Sequence, residues 1–241
     1  MNSRISNGLN LLAIETSGPL LSVAVKKGKQ KVREASLKGY FRHVENLLPL
    51  LDKLLKKEKL RISDIDAFLI SRGPGSFTGL RVGFATLKGF LSVRSRPCFG
   101  ALSFDLVALG STPFLKGKNP SNLAVCLNAK RDKLYVRSYR YHKKKWKALR
   151  APSVESPEAW FQGLPKGALI AGDGLEIRGG TLLNKAIPLP KKYWAPRAST
   201  LIALYEEKSS FLKRLNKPKD FLPFYLRASE AEERLKQRKK R

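Results

Sequence analysis

Twelve residues, RGPGSFTGLRVG (72–83), stand between two apolar runs, and four of the twelve are Gly. The run before them, DAFLIS (66–71), has the length and content of a buried strand; the run after them, FATLKGFL (84–91), continues as a helix to about Val93. A strand that turns sharply into a helix points to an α/β fold. Gly73 and Gly75 permit unusual backbone angles, Ser76 or Thr78 can cap the helix, and free N–H groups at its start favour an anion. The stretch is still no nucleotide loop of a known type, because G-K-[ST] and the GxGxxG spacing are both missing. Gly79 and Gly83, four apart, share one helix face without side-chain bulk, and Leu80, Phe84 and Leu87 flank it. A second helix can approach such a face closely.

The rest of the chain supplies the elements of two lobes. NLLAIETSG (10–18) and the segment after it read as strand, Gly-containing turn and strand, an antiparallel meander. RHVENLLPLLDKLLKKE (42–58) switches to helical period, with Val44, Leu47, Leu48, Leu51 and Leu55 on one stripe. Leu50 and Leu54 widen that stripe, and Pro49 removes a backbone donor inside the helix. PCFGA and LSFDLVALG follow as strand and helix, and STPFLKGKNPS (111–121) reads as a linker. Beyond it, NLAVCLNA and KLYVRSYRY pair as strands, SPEAWFQGL is a helix started by Ser156, GALIAGDG is a buried strand and STLIALYEEKS a helix capped by Ser199 or Thr200. The expected organisation is an N-terminal lobe over 1–110, a C-terminal lobe over 111–227 and a basic tail over 228–241.

Charge is the unusual bulk property. Lys and Arg total 48 against 19 acids, a formal +29. Such a field attracts polyanions, and RNA is one candidate. Lys143, Lys144 and Lys145 in a hairpin turn, and Arg234, Lys236 and Arg238 in the tail, are the candidate RNA contacts. No apolar run approaches the ~20 residues that cross a bilayer, and the start MNSRISNG has no signal-peptide core, so a cytoplasmic protein without membrane contact is expected. Cys98 and Cys126 lie in apolar runs and read as buried thiols.

The catalytic inventory is thin. His43 and His142 are the whole histidine content, with no H-x-x-x-H pair, and neither Cys has a neighbour at two-residue spacing. No metal site of His and Cys, and no cofactor, is therefore expected. Ser76 sits in G-S-F-T-G, not in the G-x-S-x-G of a nucleophile elbow. Glu15, Thr16 and Ser17 end the first strand, where a carboxylate can hold hydrated magnesium and hydroxyls can meet phosphate; with Arg72 and Ser76 they form a candidate vestigial nucleotide or phosphate site. Arg81 is a second cation near that stretch. The two apolar helices either cover the sheet of their own lobe or form an interface with another subunit. The expectation is an interface, through His43, Leu47, Leu51, Gly79, Leu80, Gly83, Phe84 and Leu87.

Together LLAIETSG…LSVAV, RHVENLLPLLDKLL, ISRGPGSFTGLRVGFATLKGF and PFYLR resemble the TsaB (YeaZ) family of bacterial tRNA threonylcarbamoyladenosine biosynthesis proteins, glycoprotease-like members of the actin-like ATPase superfamily. The resemblance is close over 9–110 and looser beyond. It implies two actin-like ATPase-type lobes, each a five-stranded mixed sheet flanked by helices. It also implies a non-catalytic accessory subunit of a tRNA threonylcarbamoyltransferase complex. Its partners would be a TsaD-type transferase subunit, which carries the metal-binding His pair, a TsaE-type ATPase, and tRNAs that read ANN codons. The partner would be met through the N-lobe helices, here His43–Leu55 and Thr78–Phe90; for the chain alone, a homodimer is one of the states the sequence leaves open. Where many relatives read IDAR-x-GE-x-Y, this chain reads LNAKRDKLY, with Asn128, Lys130, Asp132 and Lys133 replacing Asp, Arg, Gly and an acid. The alternatives are an ATPase or kinase of the same fold, or a general tRNA-binding protein.

Overall fold

The computed structural model describes residues 8–39, 43–115, 121–177 and 186–227. The chain is α/β, with two mixed sheets flanked by helices. In the first sheet β1 (Leu11–Glu15), β4 (Ala67–Ser71) and β5 (Cys98–Ala101) run parallel. β2 (Leu20–Lys26) and β3 (Arg33–Lys38) extend it as the antiparallel meander read from the sequence. β1, β2 and β4 are buried almost throughout, as unbroken apolar runs with helices on both faces should be.

One face of this sheet is covered by α1 (His43–Lys57) and α2 (Phe77–Val93). Leu47, Leu51, Leu54 and Leu55 of α1 and Phe84 and Leu87 of α2 pack on Leu12, Ile14, Val23, Val25, Phe68 and Ile70. α1 runs unbroken through Pro49. The opposite face is covered by α3 (Ser103–Gly110) and by α6 (Ala198–Glu206), whose Leu201, Ile202 and Leu204 meet Leu11, Ala13, Ala24 and Leu69. α4 is the short helix Thr112–Leu115, inside the segment read as linker.

The second sheet has the order β11 (Ala186–Pro188), β10 (Ala168–Ala171), β6 (Ser121–Asn128), β7 (Leu134–His142), β8 (Lys145–Ala148), and β9 (Ser153–Glu155) pairs with β7. α5 (Pro157–Gln162), capped by Ser156 as expected, lies on its outer face through Phe161. Among the described residues no helix is long and apolar enough to cross a membrane.

Two expectations change. Among the described residues each sheet has six strands where five were expected. The extra ones are too short for a period to register; β12 is only Lys213–Arg214. The lobe boundary also differs. β12 joins the first sheet beside β5, and α6 packs on its strands, so residues 198–215 return to the lobe that was expected to end at 110. The return is required physically: without α6 the apolar face of β1, β2 and β4 would lie open to water.

α3 ties the lobes together. Leu106 faces the first core while Phe104, Val107 and Ala108 face the second. From the same helix Asp105, almost fully buried, accepts hydrogen bonds from Arg137 Nη1 (2.8 Å) and the Tyr139 hydroxyl (2.7 Å) of β7. Burial raises the Asp105 pKa; the Tyr139 hydrogen bond and the Arg137 charge oppose that rise.

Candidate functional site

The end of β1 and the glycine turn form one sealed polar cluster. Glu15, Thr16 and Ser17 are all buried. Glu15 Oε1 accepts both the backbone N–H and the hydroxyl of Ser17. Ser103 donates to Ser17 Oγ at 2.7 Å, Ser71 does so at 3.4 Å, and the Ser71 and Ser103 hydroxyls are 3.0 Å apart. Glu15 Oε2, Thr16 Oγ1 and Arg72 Nε have no hydrogen-bond partner among the described residues. Burial pushes the Glu15 pKa up, against the Ser17 and Ser71 hydrogen bonds.

This arrangement is poorly suited to the phosphate chemistry considered for Glu15, Thr16, Ser17, Arg72 and Ser76. Ser76 does cap α2, with its Oγ accepting from Gly79 N–H at 3.2 Å. Its own N–H donates to the Ser17 carbonyl at 2.7 Å, so the turn spends these groups inside the lobe. Arg72 is half-buried against Gly100, and its carbonyl accepts from Phe224 N–H at 2.7 Å. Arg81 is exposed, and its guanidinium stacks 3.9 Å from the centre of the Phe77 ring. A carboxyl sealed inside the lobe does not face a hydrated cation. Among the described residues no group of three His, Cys, Asp or Glu side chains could hold a metal.

The sealed carboxyl has a measurable consequence. An acid whose folded pKa lies above its unfolded value makes stability fall as pH rises through the interval between the two. Gln in place of Glu15 keeps the acceptor for Ser17 and removes the ionisation. The melting temperature of Glu15→Gln minus that of the parent should therefore grow as pH is raised from about 4.5, the ordinary Glu value. A difference that stays flat between pH 4.5 and 8 would refute the assignment.

The glycines have a different role from the one expected. A Cβ on Gly75 would collide with the Ser17 carbonyl, one on Gly79 with the Thr16 carbonyl, and one on Gly83 would lie 2.5 Å from Thr16 Oγ1. The bare face of α2 is thus already occupied, by the end of β1. His43, Leu47, Leu51, Gly79, Leu80, Gly83, Phe84 and Leu87, expected at a partner interface, are all buried inside the lobe. This corrects the interface expectation for those eight residues. A stripe of small and apolar residues reads the same whether a foreign helix or the chain's own strand fills it. His43 Nε2, for example, lies 3.1 Å from the Gly18 carbonyl.

What α1 leaves outward is a different pair. Val44 is 58% exposed and Leu48 55%, one turn apart, with exposed Pro49 beside them. The spacing placed Val44 and Leu48 on one stripe with Leu47, Leu51 and Leu55; Leu50 and Leu54, which widened that stripe, pack on the core instead.

In the second lobe Asn128 Oδ1 accepts from Lys130 N–H at 2.7 Å, and Lys130, Arg131 and Asp132 all take positive φ. This local bond supports a left-handed turn where many relatives were expected to have Gly. Arg227 donates to the carbonyls of Ala129 and Lys130, so PFYLR runs from Arg72 in the first lobe to this turn in the second. Lys143, Lys144 and Lys145 lie exposed at the β7–β8 turn. Arg234, Lys236 and Arg238 lie outside the described residues.

Comparison with known proteins now decides the family. The family model described as "TsaD: tRNA N6-adenosine threonylcarbamoyltransferase" matches residues 41–204, more than half of the chain. The chain belongs to this family. The curated proteins similar to it include TsaB proteins, as the resemblance of RGPGSFTGLRVG and its flanking segments implied. "tRNA threonylcarbamoyladenosine biosynthesis protein TsaB" of Haemophilus influenzae is 29% identical over 158 residues, 62% of this chain and 65% of that protein. The match thus spans just under two thirds of that relative's length. TsaB of Buchnera aphidicola subsp. Schizaphis graminum is 29% identical over 168 residues, 68% of this chain and 78% of that protein. Among solved structures, YeaZ from Pseudomonas aeruginosa superposes with a TM-score of 0.74 at 22% identity, covering 90% of this chain and 100% of that one. That likeness establishes the shared fold of two mixed sheets flanked by helices.

Proposed function

We propose that this chain takes part in making threonylcarbamoyladenosine in tRNA, as a non-catalytic accessory subunit that docks on a TsaD-type transferase subunit. Such an assembly would also work with a TsaE-type ATPase and act in the cytoplasm on ANN-decoding tRNAs. The family match and the TsaB relatives support the pathway. The observation that carries the docking role is the exposed pair Val44 and Leu48 on the outer side of α1, apolar surface that the lobe's own core does not use. The sealed Glu15 cluster favours an accessory role over an independent ATPase, since it presents no accessible carboxylate.

Burying a large apolar side chain contributes about 1.5–3 kcal/mol. A carboxylate placed in the same contact costs more, because it must be desolvated unpaired. Val44→Glu with Leu48→Glu should therefore lower affinity for a co-expressed TsaD-type subunit by at least about 100-fold. Both positions are exposed, so the melting temperature should hold. Co-purification at the parent level would reject this docking face. The same surface would pair two copies when the chain is alone, and the double variant should then elute as a monomer.

A further inference from the structure

The second sheet has an outer face that its helix only half covers. α5 and the segments beside it bury Ala124, Cys126, Leu134 and Val136 on that face. Strand alternation puts Asn122, Ser138, Arg140 and His142 on the same side, farther along β6 and β7. The register of β7 with β8 adds Lys145 and Lys147, while Tyr139, Tyr141, Trp146 and Ala148 take the other side. Trp146 and Ala148 pack with the core there. Beyond the end of α5 the face is therefore polar and exposed, and its charge has one sign.

The pairing itself is unusual. Arg140 stands directly opposite Lys147. Like charges directly opposite on neighbouring strands destabilise a sheet. A merely solvated surface gains nothing from that arrangement, and an acid at either position would relieve it. Instead residues 140–150 hold six cations and no acid. Arg140 reaches only Asn122 Oδ1, at 3.3 Å, and neither Lys145 nor Lys147 is paired with an acid among the described residues.

We propose that this open half-face, with Arg140, Lys145 and Lys147 at its centre, is a docking surface for the phosphate backbone of a folded RNA. The inference rests on the tRNA part of the function proposed above and assigns the contact to one face of the second lobe. Apart from the His142 imidazole at its edge, the strip presents no outward ring among the described residues, so unpaired bases have no Phe, Tyr or Trp platform to stack on. Cations without stacking partners fit backbone phosphates, which position an RNA without reading its sequence. Phosphates bridging Arg140 and Lys147 would remove the repulsion that the register imposes.

The test uses the full chain and an unmodified tRNA transcript, with affinity measured across salt. Each phosphate contact contributes about 0.7–0.9 to the slope of log affinity against log salt. Arg140→Gln, Lys145→Gln and Lys147→Gln combined should lower that slope by about 2–3 and weaken binding at least about tenfold near 0.1 M salt. Neutralising Lys29, Lys31 and Lys59, exposed elsewhere with the same total charge, should leave the slope near the parent value. Equal losses in both triple variants would assign the effect to the overall field and overturn the proposal, as would no loss in the first. Tighter binding of the parent to phosphatidylglycerol vesicles than to tRNA through the same three residues would also overturn it. The melting temperature should hold or rise in the first variant, since a like-charge pair is removed; Lys145→Gln with Lys147→Gln serves if the triple variant fails to fold. The variant should still capture the TsaD-type subunit, so failure of the docking role on α1 would be recognised separately.

Discussion

Gly79→Ala should cost about 3 kcal/mol or more, enough to leave a domain of ordinary stability largely unfolded on mild heating. One methyl group is added, yet it points into the Thr16 carbonyl, a backbone atom that cannot swing away. Thr16 lies between β1 and the turn that follows, and Ser17 beside it accepts the N–H of Ser76. Relief of the clash would therefore have to move the strand or lift α2 off it. Gly89 is the internal control: it lies in the same helix, exposed, with open space around its Cβ position. Gly89→Ala should stabilise by about 0.5–1 kcal/mol, since Ala loses less backbone entropy in a helix. Urea denaturation of both variants checks the pair. Equal effects would mean that helix propensity, and not the contact with β1, governs these glycines. The same contact makes Gly83 unusable as a probe of partner docking, because a larger residue there disturbs the lobe itself.

Asp105→Ala should destabilise by about 3–5 kcal/mol, the range for removing one partner of a buried ion pair. Arg137 and the Tyr139 hydroxyl would lose the acceptor they share. The loss falls at the junction of the lobes, because Asp105 lies on α3 and its partners on β7. Replacing the whole group, as Asp105→Leu with Arg137→Met and Tyr139→Phe, should recover most of the loss, since it leaves no polar atom stranded. Denaturant midpoints of the single and triple variants decide the matter. A single variant within about 1 kcal/mol of the parent would show that water replaces the carboxylate, and that this group does not hold the lobes together.

The elements themselves were largely legible from local pattern. The continuous apolar runs at β1 and β4, the 3.6-residue stripe of α1 and the Ser156 cap of α5 each follow from residues close in sequence. At α6 local pattern was weaker: Ser199 or Thr200 looked like the cap, yet the helix begins after Arg197 without a side-chain cap. The hydroxyl of Ser22, on β2, accepts the Ala198 N–H instead. A long-range bond thus does the work that sequence assigned to a neighbour.

The same division runs through the whole protein. Sequence by itself determined that a strand turns through glycines into a helix, that the chain lacks paired histidines, that its charge is strongly positive, and that its motifs belong to one family. Each of these depends on residue identity or on spacing within one or two elements. Only the tertiary structure decided what fills the glycine face, which leucines of α1 turn outward, that residues 198–215 return to the first sheet, and that Arg140 stands opposite Lys147. These depend on register and on contacts between residues far apart in the chain. Hydrophobic burial has no direction, so an apolar or small residue in sequence does not say which surface will cover it.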